Sequence, residues 1–286
     1  MQNLDAYDLI DIHYHANPDL YLRRWDALET GKIYKNCNGI VVLKSHLGAT
    51  SIQATLAQRM GLPVLPSLVL NHLAGGINYR VVIQALNEYQ PLIPARMIVH
   101  FPTITGRAIK SRLSRTLTHP QLSPFSLCPE TLFNDNSQLR KEVIDVLKMA
   151  RDYPIVLSTG HASADEVYQL VDACIQYNVT SLLLNQPANP LTNLHAAQLK
   201  ELAQNEFIWI EQTSLTYLLH HQSKEDFCEV LSSLPRVIYS SDLGQTDQLD
   251  IHQWIDYSEH LFTELRISKQ RTKELVLLNA IKILAL

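Results

Sequence analysis

Eight short apolar segments recur along the chain and alternate with longer amphipathic segments. Most of their residues are aliphatic or β-branched, and several segments are apolar almost throughout. Such segments are typical of strands that are buried on both faces of a parallel sheet. They lie at residues 7–13, 39–44, 63–70, 95–100, 154–159, 179–185, 207–211 and 236–241.

The distance between successive segment ends has the period of a strand–helix unit. Six of the seven intervals span 26 to 31 residues, and the interval from His100 to Thr159 is about twice as long. Amphipathic helical patterns fill the intervals, at residues 51–60, 137–150, 162–177 and 269–286. The third of these begins with an S-x-x-E capping box formed by Ser163 and Glu166.

This alternation predicts an α/β fold, a (β/α)8 TIM barrel formed by a single domain over residues 1–286. A doubly wound open sheet is the alternative, but no G-x-G-x-x-G motif follows the first strand. The long interval contains an insertion, residues 103–136, after the fourth strand. We predict that this inserted loop is a lid over the C-terminal ends of the strands, with a surface elaboration or an oligomer contact as the alternative.

The composition narrows the class of protein. The chain has 286 residues, of which 46% are hydrophobic, and its net charge of −4 argues against a nucleic-acid partner. Four scattered cysteines without a C-x-x-C pair indicate a reducing compartment. Without a signal-peptide pattern or an apolar run of about 18 residues, we expect a cytoplasmic protein with no membrane partner. Homo-oligomer formation is left open.

Histidine is the unusual residue of this composition. The twelve histidines outnumber the nine glycines, and half of them lie at or just after the end of a predicted strand. These six are His13, His15, His46, His72, His100 and His161. Because the C-terminal strand ends of a barrel form its functional face, the clustering predicts a site built from imidazole groups.

The first predicted strand ends in an H-x-H pair. Alternation along a strand should place Asp11, His13 and His15 on one face, so that both imidazoles reach one metal ion. Asp242 follows the eighth strand, the neighbour of the first in a closed barrel, and can ligate that ion or accept a proton from bound water. Taken alone, the pair would be coincidental and Asp242 would be a turn cap.

Further polar residues stand at the other strand ends. His161 follows the fifth strand and is a third candidate ligand, with an exposed residue at a helix start as the alternative. Lys44 and His46 end the second strand and are suited to an anionic substrate group or to proton transfer. His100 ends the fourth strand. For Lys44, His46 and His100, the alternative is a surface or supporting role.

Two more features complete the candidate site. Glu211 ends the seventh strand and would add a carboxylate to the pocket. Arg23 and Arg24 follow the H-x-H pair closely enough to meet an acidic substrate, although a solvated arginine pair is the expectation.

Together these motifs resemble the amidohydrolase superfamily of metal-dependent hydrolases. The pattern comprises D-x-H-x-H after the first strand, T-G-H after the fifth and an aspartate after the eighth. Over nearly the whole chain, the sequence also looks like an uncharacterised amidohydrolase-like family without an established substrate. That likeness is carried by DIHYHANPDLYLRRW, VVLKSHLGAT, LVLNHLAGGIN, VLSTGHASADE and YSSDLGQ.

The resemblance implies that His13, His15 and Asp242 ligate a metal ion at the first metal position of the superfamily. His161 matches the histidine of the fifth strand and is the fourth implied ligand.

Two positions depart from the superfamily pattern. Asn185 and Gln186 stand where a sixth-strand histidine is usual, and His100 stands where the fourth strand usually supplies a bridging lysine or glutamate. The implied site therefore holds one divalent ion rather than two. Zinc is preferred for an imidazole-rich ligand set, with Mn2+ or Fe2+ as alternatives.

The resemblance also implies a reaction, the metal-dependent hydrolysis of a C–N or C–O bond in an amide, lactone or ester of a small molecule. Asp242 would accept the proton of the attacking water, and Lys44, His46 and His100 would bind substrate or stabilise oxyanion charge. Two alternatives stay open: metal-dependent decarboxylation, which related barrels catalyse, and a degenerate, non-catalytic ligand-binding barrel.

Overall fold

The chain forms an α/β fold with parallel sheets, which confirms the predicted class. The computed structural model describes residues 3–107 and 113–286, so that Lys110 and Arg112 of the predicted insertion lie outside the described residues. Its strands are β1 (Leu9–Tyr14), β2 (Gly39–Leu43), β3 (Val64–Leu65), β4 (Ser67–Val69), β5 (Met97–His100), β6 (Ile155–Ser158), β7 (Leu182–Leu184), β8 (Ile208–Thr213) and β9 (Val237–Ser240). Every pair of neighbouring strands among them is parallel.

Helices follow most of the strands, as the amphipathic patterns predict. They are α1 (Ala27–Asn36), α2 (Ser51–Arg59), α3 (Tyr79–Glu88), α4 (Ser123–Ser126), α5 (Lys141–Ala150), α6 (Ala164–Gln176), α7 (Ala196–Leu202), α8 (Ser214–Leu218), α9 (Lys224–Ser233), α10 (Ile251–Glu264), α11 (Lys269–Lys273) and α12 (Asn279–Leu284). A π-helical turn, Glu274–Leu278, joins the last two. Among the described residues, no helix has the length and apolarity that a membrane span requires.

The third predicted strand, residues 63–70, consists of two short strands. Pro66 separates β3 from β4, because a proline has no amide hydrogen to donate to a strand ladder. β3 pairs with β2 and completes a sheet of three strands, whereas β4 pairs with β5 and begins a sheet of six. One chain segment thus belongs to both sheets.

The last strand approaches the first just beyond the ends of both. The Asp242 amide donates a hydrogen bond to the His13 carbonyl at 2.9 Å, and the His15 amide donates to the Leu243 carbonyl at 2.8 Å. Tyr14 and Leu243 form a parallel bridge. The residues that follow β9 therefore lie beside those that end β1.

Successive strand residues pack alternately into two apolar layers. In β6, Val156 joins an inner cluster that also takes side chains from β1, β2, β3, β5, β7, β8 and β9 and from the C-terminal helical segment. Its neighbours Ile155 and Leu157 join the outer cluster, which packs the strands against the helices. The side chains at the C-terminal strand ends are polar, and this is where the predicted site residues meet.

The turn between β6 and α6 sets the position of His161. The predicted capping box is present, since Ser163 and Glu166 each accept a hydrogen bond from the other's backbone amide. Gly160 adopts a positive φ of 57° and lies so close to the chain after β5 that a Cβ would come within 2.1 Å of the Phe101 carbonyl oxygen. A side chain at this position would need both strain and displacement.

Gly160→Ala should therefore lower the free energy of unfolding through two costs, the left-handed conformation of the alanine and its clash with the chain after β5. The clash alone should contribute more than about 2 kcal/mol. Gly61→Ala is the matched control, because Gly61 has a φ of 71° but meets nothing closer than Lys35 Nζ at 3.7 Å. Urea unfolding of both variants separates the steric cost from the conformational cost. Equal destabilisation of the two would contradict the close approach.

Candidate metal centre

The end of β1 directs two imidazoles toward the same point. The pairing of β1 with β2 is irregular between Asp11 and Tyr14, which resets the alternation of side chains along the strand. The prediction that Asp11 shares the face of the two histidines is wrong for this reason. Its carboxylate instead accepts hydrogen bonds from the Tyr34 hydroxyl of α1 and the Ser241 amide.

Asp242 completes a three-residue set with His13 and His15. One carboxylate oxygen, Oδ1, lies 3.0 Å from His13 Nε2 and 3.2 Å from His15 Nε2. All three side chains are buried. In a tetrahedral zinc site with bonds of about 2.0–2.2 Å, neighbouring ligand atoms lie about 3.3 Å apart, so these separations fit one ion.

The direction of the His13 ring supports the same fit. Its Nε2 atom is buried and makes no aligned hydrogen bond, although the Asp242 oxygen is near enough for one. A buried nitrogen without an aligned partner costs free energy. Either a proton that the nitrogen shares with a nearby carboxylate or a bound metal ion would remove this cost. The donor set of two imidazoles and a carboxylate is one that zinc takes readily.

Glu211 holds the other side of the His13 ring. Its Oε1 lies 2.9 Å from His13 Nδ1 and also accepts from the Ser240 hydroxyl at 2.8 Å. The second oxygen of Glu211 accepts a hydrogen bond from the backbone amide of Gln186 at 3.2 Å. A carboxylate at Nδ1 fixes the tautomer that leaves Nε2 free to ligate a metal, an arrangement common around bound zinc.

The charges around His13 favour a cation at this position. Burial opposes protonation of the ring, yet Asp242 and Glu211 outweigh burial and the repulsion from Lys44, so that the pKa of His13 is raised to about 9. Burial would raise the pKa of Asp242, but His13 and His15 hold it well below its usual range. Two ionised carboxylates thus face a single imidazole, and either a proton or a metal ion would balance them.

Lys44 lines the pocket and is bound to Asn185. Lys44 Nζ donates a 2.7 Å hydrogen bond to Asn185 Oδ1, and the lysine is only 2% exposed. Burial lowers the pKa of Lys44 to about 8, partly offset by Glu211 and Asp242. The resemblance implied a histidine in the stretch of Asn185 and Gln186, and here the Asn185 side chain binds an ammonium group.

His161 lines the same cavity as the three-residue set but is not one of its members. Its Nε2 lies 3.4 Å from the side-chain nitrogen of Gln186. The side-chain oxygen of Gln186 accepts a hydrogen bond from the Thr216 hydroxyl at 3.2 Å. Burial and the positive charges nearby, Lys44 first among them, hold the pKa of His161 well below its usual range. It is therefore neutral at pH 7, and its role as a fourth ligand stays a prediction.

A second group of polar side chains surrounds Asp19, which sequence reasoning missed. Asp19 Oδ2 lies 2.6 Å from an Arg23 nitrogen, 3.4 Å from His46 Nδ1 and 3.6 Å from His15 Nδ1. Its Oδ1 accepts from the His46 amide and the Ser45 hydroxyl. The available signal was a carboxylate four residues after one predicted ligand and four residues before an arginine.

Arg23 differs from its prediction. A solvated arginine pair was expected, but Arg23 is 6% exposed and is bound through its guanidinium to Asp19. Arg24, by contrast, donates to the carbonyl groups of Thr246 and Gln248 at the protein surface. The pairing with Asp19 balances the charge of Arg23 and fixes the loop that follows β1.

His100 lies near His13 but does not line the cavity. It is 1% exposed at the end of β5, its Nδ1 is 2.8 Å from the Ser158 hydroxyl, and its ring centre lies 6.1 Å from that of His13. Burial and neighbouring positive charges hold its pKa well below the usual range, so the ring is neutral. His72, the remaining strand-end histidine, is exposed in a short 3-10 turn.

The three-residue set lies on the wall of a cavity of about 270 Å3, which is small for a ligand site. Its lining includes the three-residue set, Lys44, His46 and His161. Leu113, Arg115 and Leu127 also line it, so the described part of the predicted insertion forms one wall. Whether that wall opens and closes as a lid stays a prediction.

Replacing Asp19 should weaken the fold and change its acid stability. Asp19→Asn should lower the free energy of unfolding at pH 7 by about 3 kcal/mol, because Arg23 would stay buried without its partner. Burial raises the pKa of Asp19, but His46, His15 and Arg23 outweigh it and hold the pKa well below its usual range. The stabilisation is therefore present above the unfolded-state pKa of about 3.9 and is lost as pH falls through the folded-state pKa.

Urea unfolding between pH 7 and pH 2 measures both effects, and the gap between wild type and the variant should narrow at the acid end. Asp8→Asn is the control, since Asp8 is exposed and its carboxylate accepts a hydrogen bond from another surface side chain, that of Asn38. If the Asp19 and Asp8 variants were equally stable at pH 7, the buried pair would not stabilise the fold.

Comparison with known proteins gives a family but no reaction. No curated protein matches the chain. One similar solved structure, described as an amidohydrolase from Burkholderia multivorans with bound HEPES, has a TM-score of 0.46 at 11% identity and covers 96% of this chain and 98% of its own. Another, N-acetyl-D-glucosamine-6-phosphate deacetylase from Mycobacterium smegmatis, has a TM-score of 0.33 at 12% identity, over 85% of this chain and 50% of that one. A family profile matches residues 8–211, and the chain belongs to that family, the family of unknown function DUF6282.

Proposed function

We propose that the chain is a metal-dependent hydrolase of the amidohydrolase superfamily that cleaves a C–N or C–O bond of a small molecule. One observation carries the proposal: His13 Nε2, His15 Nε2 and Asp242 Oδ1 converge at ligand spacing on the wall of a small cavity. Zinc is the proposed ion, because two imidazoles and a carboxylate suit it better than they suit harder cations.

The proposed scaffold is a (β/α)8 barrel with β3 and β4 counted as one strand. Two features support it. The inner apolar cluster contains side chains from β1 and from β9, at opposite ends of the strand order. The backbone of Asp242 and Leu243 also pairs with that of His13 and His15. We also propose that the chain forms a single domain and that the insertion, residues 103–136, acts as a lid.

In the proposed reaction, the bound ion, Glu211 and Asp242 would have different roles. A divalent ion at this position would supply Lewis-acid chemistry, acidifying a water molecule and polarising a carbonyl group. Glu211 holds the His13 ring so that its Nε2 faces Asp242. Asp242 is ionised at neutral pH, and it would accept a proton from water and return it to the leaving group.

Two further residues would act on the substrate. Lys44 has a pKa of about 8, so it is mostly protonated at pH 7 and can donate a hydrogen bond to a developing oxyanion. Burial lowers the pKa of His46 to about 3, despite Asp19, so its ring is neutral and would bind substrate as a hydrogen-bonding group. His100 has no place on the cavity wall among the described residues, and we propose that it supports His13 from below.

Metal content tests the first half of the proposal. Wild-type protein loaded with Zn2+ and freed of excess ion should retain about one equivalent, and His13→Ala should retain less than about a tenth of one. His260→Ala, at an exposed helical position, should bind as wild type does. Elemental analysis decides the outcome; low metal content that is unchanged in His13→Ala would end the metalloenzyme proposal.

The pH dependence of this binding follows from the raised pKa of His13. Below about pH 9 the metal must displace a proton from His13, so affinity should rise about tenfold per pH unit between pH 7 and pH 9. Calorimetry in buffers of different ionisation enthalpy should detect the released proton. If the affinity were independent of pH over this range, metal binding would not displace a proton from His13.

Hydrolysis is tested with a panel of amides, esters and lactones, with release of CO2 from aromatic carboxylic acids followed in parallel. For any hydrolysed member, Asp242→Asn should lower kcat/KM by about a thousandfold, in the range typical of a lost general base. The exposed Asp256→Asn should have no effect. Metal content measured on the same samples separates loss of the base from loss of the ion, and CO2 release without hydrolysis would favour the decarboxylase alternative.

A further inference from the structure

The cavity beside the candidate metal centre has more basic than acidic side chains on its wall. Among residues 3–107 and 113–286, Asp242 is the single carboxylate that lines it. The basic side chains are Arg23, Lys44, Arg107 and Arg115. A cavity with this excess of positive charge favours a negatively charged ligand.

Two of these charges are balanced by buried carboxylates behind the wall. Asp19 binds Arg23, and Glu166 lies 2.8 Å from Arg107 Nη1. Because both carboxylates are almost fully buried, these pairs belong to the fold and leave little charge for a ligand.

Arg115 is in a different position. Within the described part of the chain, no carboxylate lies within ion-pair distance of its guanidinium group. Its guanidinium carbon lies over the ring of Tyr21, 5.5 Å from the ring centre. The same ring has Arg23 at 5.8 Å, so Tyr21 carries two guanidinium groups, of which only one is neutralised.

A continuous wall connects Arg115 with the metal-binding residues. The Tyr21 ring meets the His46 ring edge-on at 5.4 Å, and the His46 ring stacks on that of His15 at 4.9 Å. His15 in turn touches Asp242 through Nε2. A ligand along this wall would reach from the guanidinium group to the three-residue set.

We infer that Arg115 binds the anionic group of the substrate, a carboxylate or a phosphate, while the bond to be cleaved lies at the candidate metal centre. The second part rests on the proposed function; the first rests on the surroundings of Arg115 alone. The remaining lining includes Leu127, Leu191, Leu215 and Leu219, and the volume is about 270 Å3. The substrate class is therefore a small organic anion with an apolar body.

Two esters of equal acyl length test the charge preference on the zinc-loaded full chain. Mono-4-nitrophenyl glutarate carries a free carboxylate, and 4-nitrophenyl pentanoate does not. Arg115→Gln should lower kcat/KM for the anionic ester about tenfold to a hundredfold, the range for one lost charged hydrogen bond, and leave the neutral ester unchanged. Arg115→Lys should recover part of the loss, because it restores the charge without the planar fork.

Arg80→Gln is the matched control, since Arg80 also lies over a tyrosine ring, that of Tyr79 at 5.2 Å, but does not line the cavity. A second readout does not depend on turnover. Calorimetry on the metal-free chain should show glutarate or inorganic phosphate binding about tenfold more weakly to Arg115→Gln than to wild type or Arg80→Gln. The ligand that responds identifies the carboxylate or the phosphate as the recognised group.

The outcomes separate this inference from the proposed function. Arg115-dependent anion binding without hydrolysis of either ester would support the anion site and count against the hydrolase. Hydrolysis without preference for the anionic ester, or with equal rates for wild type and Arg115→Gln, would overturn the inference and leave the hydrolase standing. If neither glutarate nor phosphate bound the wild-type chain, the inference would also fail.

Discussion

The site depends on one imidazole that is held between two buried carboxylates. Glu211 binds His13 at Nδ1 and Asp242 approaches it at Nε2, at 2.9 and 3.0 Å. Two ionised carboxylates cannot be buried side by side without positive charge between them, because the interior does not solvate them as water does. The proton on His13 meets this requirement, and a divalent ion meets it more fully. Lys44, buried nearby with its ammonium group on Asn185, adds charge of the same sign.

The bonds that build this site also bring the two ends of the strand order together. Asp11 accepts hydrogen bonds from the amides of His13 and Ser241, and the Ser241 hydroxyl donates to the His13 carbonyl. The polar groups after β9 are thus satisfied by those of β1. Asp242 adopts a positive φ of 53°, a strained conformation for a residue with a side chain, and the surrounding bonds hold it there. Fold and site cannot be altered independently here.

The sequence predicted the strand segments, four of the helical segments and the strand-end positions, because each depends on local periodicity. The capping box of α6 and the apolar face of that helix are examples. The sequence did not predict that residues 63–70 form two strands. What it could not predict depends on partners distant in the chain. The irregular pairing that turns Asp11 toward α1 comes from the fit of β1 to β2, and the buried position of Arg23 depends on its ion pair with Asp19. Of the site, the H-x-H pair and Asp242 were accessible from position alone. Glu211 as the partner of His13 was not, since 198 residues separate them.

The two ends of the cavity differ in how firmly their charges are fixed. Around His15 and His46, Asp19 binds Arg23 and the backbone of the same loop, so this end is set by buried pairs. Arg115 belongs to the insertion, yet its neighbours are tied to that loop: the Leu22 amide donates to the Thr116 carbonyl and the Thr118 amide to the Leu20 carbonyl. An insertion held in this way can present a charge to the cavity at a defined place without entering the core. Under the proposed function and the inference about Arg115, the strand ends would supply the chemistry and the insertion would select the anion.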